Sequence, residues 1–240
     1  KYNDPFFTDL KNISFKVNKG EIFGIAGVAG NGQSELMDIL TGEIKNIKLG
    51  NILFNDKNIN NLNPQERRNL SIAFVPENRL GHSAVPELSL IENSLLSRFP
   101  KNSFVKNGLI NKKYLKSYSN NIIKEYNVIT SDADAKASSL SGGNLQKFVI
   151  GREILSNPNL LIISHPTWGI DAGAENVIRQ SILELSKKGT SVIVISQDLD
   201  ELLEISHKLS VIYNGNLSRP FKTSEISIEK IGLLMGGKSE

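Results

Sequence analysis

Ile22-Phe23-Gly24-Ile25-Ala26 runs into Gly27-Val28-Ala29-Gly30-Asn31-Gly32-Gln33-Ser34, which opens onto Glu35-Leu36-Met37-Asp38-Ile39-Leu40. The first stretch reads as a short apolar strand and the last as a helix. Strand, glycine-rich turn and helix in that order form the frame of a phosphate-binding loop. The glycines let successive backbone N–H groups point inward at an anion without Cβ obstruction, and the helix N-terminus adds partial positive charge behind them. The residue just before Ser34, where a lysine belongs in such a loop, is Gln33. An amide donates a hydrogen bond but carries no charge to offset the one that develops in phosphoryl transfer. The loop is suited to holding a nucleotide and poorly equipped to cleave one. On these residues alone an ordinary strand-to-helix turn is an equal reading; the later segments decide between them.

With 240 residues, 39% hydrophobic and 22% charged, the chain has the makeup of a globular protein, long enough for one large domain carrying a subdomain. Residues 1–240 are accordingly expected to form a single domain. A net charge of +3, with the basic residues scattered, argues against a nucleic-acid partner. The absence of cysteine excludes disulfides and fits a reducing compartment. No apolar run approaches the roughly 20 residues a membrane span needs, and no signal peptide is read. Any membrane connection is expected to run through a partner. The sequence begins at Lys1 rather than at a methionine, as expected of a piece of something longer.

Upstream of the loop, Leu10 to Val17 alternates with period two, which predicts a half-solvated strand, and Asn18-Lys19-Gly20 turns it into the next one. Downstream, Gly50 to Phe54 and Ser71 to Val75 read as strands. A short helix follows Asn63, with Pro64 at its first position. Pro76-Glu77-Asn78-Arg79 is a polar cluster at the end of a strand, where ligands sit in α/β sheets. Between about Ser83 and Ser138 the spacing turns helical, over Leu88 to Phe99 and Lys112 to Tyr126, with no strand pattern between. With the helix that follows, this predicts an inserted helical subdomain over about residues 83–155. Tyr114 and Tyr118, four apart, read as a packed face. Ser141 is a good N-cap for a helix over Asn144 to Leu155, and Gly142 and Gly143 leave its first N–H groups open to an anion. Leu160 to Ile163 is apolar without alternation, as in a buried parallel strand. A helix over Ala174 to Lys187, a strand over Ser191 to Ile195, a hairpin about Asn214-Gly215-Asn216 and a weak helix after Pro220 complete the chain.

With these residues in place the chain resembles the nucleotide-binding domain of an ABC transporter over about Leu10 to Leu217. More closely, it is similar to the second ATPase domain of the tandem ATPase subunit in sugar and nucleoside importers. Leu140-Ser141-Gly142-Gly143-Asn144 matches the family signature and is the most specific stretch. Gly27 to Ser34 matches the Walker A position, Leu160 to Ile163 the Walker B strand, and Pro166 to Asp171 the D-loop. Ser196-Gln197-Asp198 matches the switch, and Val75 to Arg79 the Q-loop with Glu77 in it. The resemblance implies an α/β P-loop NTPase core with an N-terminal antiparallel β subdomain and an inserted helical subdomain. It implies ATP at Gly27, Val28, Ala29, Gly30, Asn31, Gly32, Gln33, Ser34 and Glu35, with Ser34 as a weak magnesium ligand. Tyr2, Phe6 or Phe7 would be candidates to stack on the base, with a core or edge-packing role the favoured reading of Phe6 and Phe7.

Four positions depart from the family pattern. Gln33 replaces the phosphate-clamping lysine. Ser164 replaces the aspartate that holds the magnesium shell, and a hydroxyl has neither its charge nor its full acceptor capacity. His165 replaces the glutamate that polarises the attacking water, and is read as a solvated or hydrogen-bonded filler rather than a base. Gln197 replaces the switch histidine. No residue is therefore assigned as catalytic, and the isolated domain is expected to hydrolyse ATP poorly or not at all, with magnesium held weakly. Family domains pair head to tail, so Leu140 to Asn144 would close over ATP bound by a partner ATPase domain, expected to be the N-terminal half of the same polypeptide. Transmembrane permease subunits, and through them a substrate-binding protein, would complete the assembly on the cytoplasmic face of the membrane. The alternative is a soluble family NTPase acting on nucleic acid or the ribosome; long insertions or basic faces would mark it, and neither is read here.

Overall fold

The computed structural model describes residues 8–45, 47, 49–97, 104–106 and 108–238. Strand β1 (Ile22–Ala26) leads through the glycine loop into helix α1 (Gln33–Thr41). A hairpin of two-residue strands, β2 (Leu53–Phe54) and β3 (Lys57–Asn58), precedes helix α2 (Pro64–Asn69) and strand β4 (Ile72–Val75). Then come α3 (Leu90–Leu96), a second small hairpin β5 (Val105–Lys106) and β6 (Leu109–Ile110), α4 (Lys112–Glu125) and α5 (Gly142–Ile154). The last third holds β7 (Leu160–Ser164), α6 (Ala172–Lys187), β8 (Ser191–Ser196), α7 (Leu199–Ile205) and β9 (Lys208–Tyr213). It closes with β10 (Asn216–Leu217), β11 (Phe221–Lys222) and α8 (Ile228–Met235).

The main sheet runs β10-β9-β1-β8-β7-β4, with β11 also on β9. From β9 to β4 every pairing is parallel, while β10 and β11 add antiparallel to β9. A parallel sheet buries both faces, which explains the unbroken apolar runs of β7 and β8. Ile22, Leu161, Ile163, Val192 and Val194 point into one core, shared with α5, α6, α7 and α8. Phe23, Ile25, Ile162, Ile193 and Ile195 point into the other, under α1 and the segment Leu10 to Val17. Each such side chain taken fully out of water contributes about 1.5–3 kcal/mol, so the sheet is fixed in place from both sides.

Four expectations are corrected. Leu10 to Val17 alternates in exposure and Phe15 stacks on Phe23 with centroids 5.0 Å apart, yet the segment forms no strand; its one ladder contact is a bridge from Lys11 to Asn216. Alternation reports which side chains are half buried, not whether the backbone finds a partner. The strand expected over Gly50 to Phe54 shrinks to Leu53 and Phe54. The hairpin β5–β6 interrupts the helical stretch, since two-residue strands are too short to show a period. After Pro220, a strand that extends the sheet precedes the terminal helix. Tyr114 and Tyr118 do pack as one face, both against Phe104 at 5.4 Å.

A buried ion network ties the helices around residues 83–155 to the sheet. Glu153 on α5 accepts from Arg68 on α2 at 2.8 Å and from Arg152 at 2.9 Å. Arg152 in turn donates to the carbonyls of Asn93 and Ser83, and Arg68 lies over the Phe74 ring. Removing a buried carboxylate strands two guanidinium groups. Glu153→Ala is therefore expected to destabilise the fold by about 3–5 kcal/mol, read as a large downward shift of the urea midpoint. A midpoint unchanged from the parent protein would refute the network's role.

Candidate nucleotide site

The sequence-predicted residues gather at the carboxyl ends of the parallel strands: Gly27 to Ser34 after β1, Glu77 after β4, Ser164 and His165 after β7, and Gln197 after β8. This is the edge at which α/β sheets bind ligands. Within the loop, Gly30 and Gly32 take φ values of +85° and +112°, and Gly32 caps α1 without a side-chain bond. The first N–H groups of α1 therefore face outward without an intrahelical acceptor, ready for an anion.

Gln33 decides what the loop can do. Its side chain folds back on the loop: Nε2 donates to the Val28 carbonyl at 2.8 Å, and Oε1 accepts from the Asn31 N–H at 3.2 Å. It is buried, and it fills the hollow that Gly27 leaves; a Cβ added at Gly27 would lie 2.6 Å from Nε2. The amide thus engages one of the loop's own donors and brings no cation to the phosphates. Charge on α1 works the same way. Burial, helped by Glu43 and Glu35, pushes the Asp38 carboxyl up to about 6, so acidic groups crowd the helix behind the loop.

The far side of the loop is braced by distant chain. Asn31 accepts from the N–H groups of Asn214 and Gly215, Thr8 Oγ1 donates to the Gly30 carbonyl, and the Glu35 carboxylate accepts from the Thr8 N–H. Thr8 is not singled out from sequence and Asn214 only as part of a hairpin turn; no local pattern marks either as a brace of this loop. Tyr2, Phe6 and Phe7 lie outside the described residues.

Ser164 ends β7 buried beneath the strand tips, and His165 follows with φ +47°. Of the two readings of His165, solvated or hydrogen-bonded filler, its surroundings favour a packed one. Its side chain is 12% exposed, packs edge-on against Trp168 and sits 4.0 Å from the Glu77 carboxylate. Burial holds its pKa below the usual value while Glu77 pulls the other way, so at neutral pH it is an uncharged imidazole. Ser34 is exposed, and among the described residues no group of three or more His, Cys, Asp or Glu side chains could hold a metal. The two positions that end β7, where the resemblance expects acidic side chains, carry a hydroxyl and an imidazole instead. Gln197 is half buried, followed by Asp198, which caps α7 through the Glu201 N–H. Asp171 is likewise an N-cap, of α6, and the Ala174 N–H it binds lowers its pKa.

The other cluster is the start of α5. Ser141 is exposed, and its hydroxyl accepts from the Asn144 backbone at 3.4 Å and from the Asn144 amide at 2.9 Å. Gly143 lies against the 166–171 loop, with a Cβ there 3.2 Å from the Gly169 carbonyl. Buried Gln146 fastens the same two pieces, its amide donating to the His165 and Pro166 carbonyls at 3.4 and 3.3 Å. No hydrogen bond among the described residues joins this end of α5 to the loop Gly27 to Ser34. The chain thus presents a glycine loop without a lysine and an exposed helix N-terminus that is not bonded to it.

Comparison with known proteins accords with this geometry. The family model described as ABC transporter matches residues 10–168. The chain is 37% identical over 231 residues to the guanosine import ATP-binding protein NupO of Bacillus subtilis, covering 96% of this chain and 45% of that protein. It is 39% identical over 231 residues to the ribose import ATP-binding protein RbsA of Clostridium tetani, covering 95% and 45%. The chain spans less than half the length of these relatives. Among solved structures it superposes on an ATP-binding cassette in a dimeric post-hydrolysis state bound to ADP and Pi, with TM-score 0.77 at 23% identity over 89% of this chain and 90% of that one, a likeness of fold. The ADP conformation of a second cassette superposes with TM-score 0.69 at 27% identity, over 96% and 89%. A glycine loop between β1 and α1, a signature at the start of α5 and these relatives together settle the family: the chain belongs to the ABC transporter ATP-binding cassettes.

Proposed function

We propose that this chain is the second ATPase domain of a tandem importer subunit for sugars or nucleosides, and that it works chiefly by lending its signature to a catalytic site on its partner domain. One observation carries the reading: Gln33 is tied into its own loop while the N-terminal end of α5 stays exposed and capped. Ser141, Gly142 and Gly143 offer the hydroxyl and N–H donors that close over a terminal phosphate held elsewhere. Gly27 to Glu35 hold nucleotide weakly or without turnover, because no lysine, magnesium-anchoring carboxylate or water-orienting glutamate is present to stabilise the transition-state charge. The names of the relatives, import proteins for guanosine and ribose, support transport and the two substrate classes. Their greater length supports a partner domain in the same polypeptide. No helix among the described residues is long and apolar enough to cross a membrane; the domain docks on permease subunits at the cytoplasmic face, with a substrate-binding protein reached through them.

The donor set gives a direct test. Nucleotide affinity at this loop, titrated in full-length protein whose partner site is blocked, is expected to change less than about twofold when magnesium is replaced by a chelator, since no carboxylate here anchors the metal. A drop of about tenfold or more without magnesium would contradict the reading. Recovery of the protein with ribosomes or DNA rather than with membranes would favour the non-transport alternative.

A further inference from the structure

We propose that Arg79 is a positioning residue of the shared site, the strut that sets the start of α5 against the loop that follows β7. This rests on the reading that the start of α5 completes a partner's catalytic site. Arg79 leaves the end of β4, and its Nη2 donates to the carbonyl of Trp168, 89 residues away. The same guanidinium lies against the first residue of α5: a Cβ added at Gly142 would sit 2.8 Å from Nη1. It also lies over Gly169, whose Cβ position is 3.4 Å from Nη2. One planar group therefore joins its own segment after β4 to two others, the start of α5 and the 166–171 loop. At Gly142 a side chain would displace the guanidinium, while the Gly169 position is in ordinary contact with it.

Stability alone does not account for this placement. Among the described residues Arg79 has no carboxylate within ion-pair distance, and burial lowers its pKa, so its charge is held at a desolvation penalty. It also stands at the positive end of a helix, where a cation is disfavoured. Its compensation is the Trp168 carbonyl rather than a counter-ion, and a local arrangement that runs against electrostatics is characteristic of a working site. The fork of arginine explains the residue type: Nη2 donates to the Trp168 carbonyl while Nη1 lies beside Gly142, a two-point reach that the point charge of a lysine cannot reproduce.

The consequence is mechanical. Gln146 already fixes α5 to the loop after β7 from beneath. Arg79 adds the segment after β4, which also carries Glu77 beside His165. The signature end, the 166–171 loop and the exit of β4 then move as one unit. Donors at Ser141 and Gly143 must meet a phosphate on another domain within about 0.5 Å to be useful, and the strut removes one freedom on which that placement depends.

Steady-state ATP hydrolysis by the full-length protein in its membrane assembly tests this with Arg79→Met, Arg79→Lys and Ser141→Arg. Arg79→Met is expected to lower kcat about tenfold or more, leaving KM for ATP within about twofold and the melting temperature close to the parent. Arg79→Lys is expected to rescue little of the loss. Gly142→Ala, which displaces the guanidinium while keeping it, is expected to show the same split and stands in if Arg79→Met fails to fold. A kcat near normal in Arg79→Met, or full rescue by lysine, overturns the inference. If Ser141→Arg is inactive while Arg79→Met and Gly142→Ala are normal, only the strut is wrong; if Ser141→Arg is itself normal, the shared-site reading has failed.

Discussion

Ser141→Arg is expected to abolish ATP hydrolysis by the full-length assembly, a loss of about 100-fold or more, while leaving the domain folded. Ser141 is exposed at the tip of α5, and the side chain it carries serves only as a local cap, accepting from Asn144. Loss of that cap costs about 1 kcal/mol, which lowers the melting temperature modestly and does not stop turnover. A long cationic side chain there does something different. It occupies the space into which a partner-bound terminal phosphate must come, and the donors of Gly142 and Gly143 can no longer close on it. Ser141→Ala separates the two effects, since it removes the cap and blocks nothing; it is expected to keep a substantial part of the activity at slightly reduced stability. Near-normal turnover in Ser141→Arg would refute the assignment of this helix end to a shared site.

Gln33→Lys is the second large effect, and it concerns the other surface. The glutamine amide now bonds to Val28 and Asn31 within the loop. A lysine at this position gives up both bonds, frees the Asn31 N–H and brings a charge to a bound phosphate. A charge-assisted contact contributes about 1.5–3 kcal/mol, so nucleotide affinity at this loop is expected to rise about tenfold or more. Cleavage there is expected to stay absent, because Ser164 and a largely enclosed His165, whose burial disfavours the charged imidazole, offer no carboxylate at the end of β7. Equilibrium binding with a fluorescent nucleotide, in parallel with phosphate release, separates the two quantities. Unchanged affinity would mean that Gln33 does not limit binding, and cleavage restored by lysine alone would mean that the residues after β7 matter less than argued.

Much of this was legible in the sequence because the relevant patterns are local. The run Ile22 to Leu40 holds strand, loop and helix in consecutive residues, and Ser141 with its two glycines announces the start of α5. β7 and β8 betray a parallel sheet because both their faces are buried. The order of these pieces carried the family resemblance, and with it the expectation that Gln33, Ser164, His165 and Gln197 depart from the family pattern. What the sequence could not show is where side chains go. That Gln33 bonds to its own loop depends on a backbone turn of particular shape. That His165 is buried against Glu77 and Trp168 depends on β4 and β7 being neighbours. Arg79 reaches Trp168 and Gly142 across 89 and 63 residues of chain (142 minus 79), beyond any periodicity. The segment Leu10 to Val17 failed in the opposite sense: its alternation was real, but burial of every second side chain does not require a backbone partner.

A glycine loop deprived of its cation and its carboxylates is expected to retain nucleotide without cutting it. The most direct measurement is a single turnover of the full-length protein loaded with ATP, followed by quantifying the nucleotide that stays bound. The account predicts at most one ADP per polypeptide, with any nucleotide at this loop recovered as intact ATP. Two ADP per polypeptide, formed at comparable rates, would contradict it.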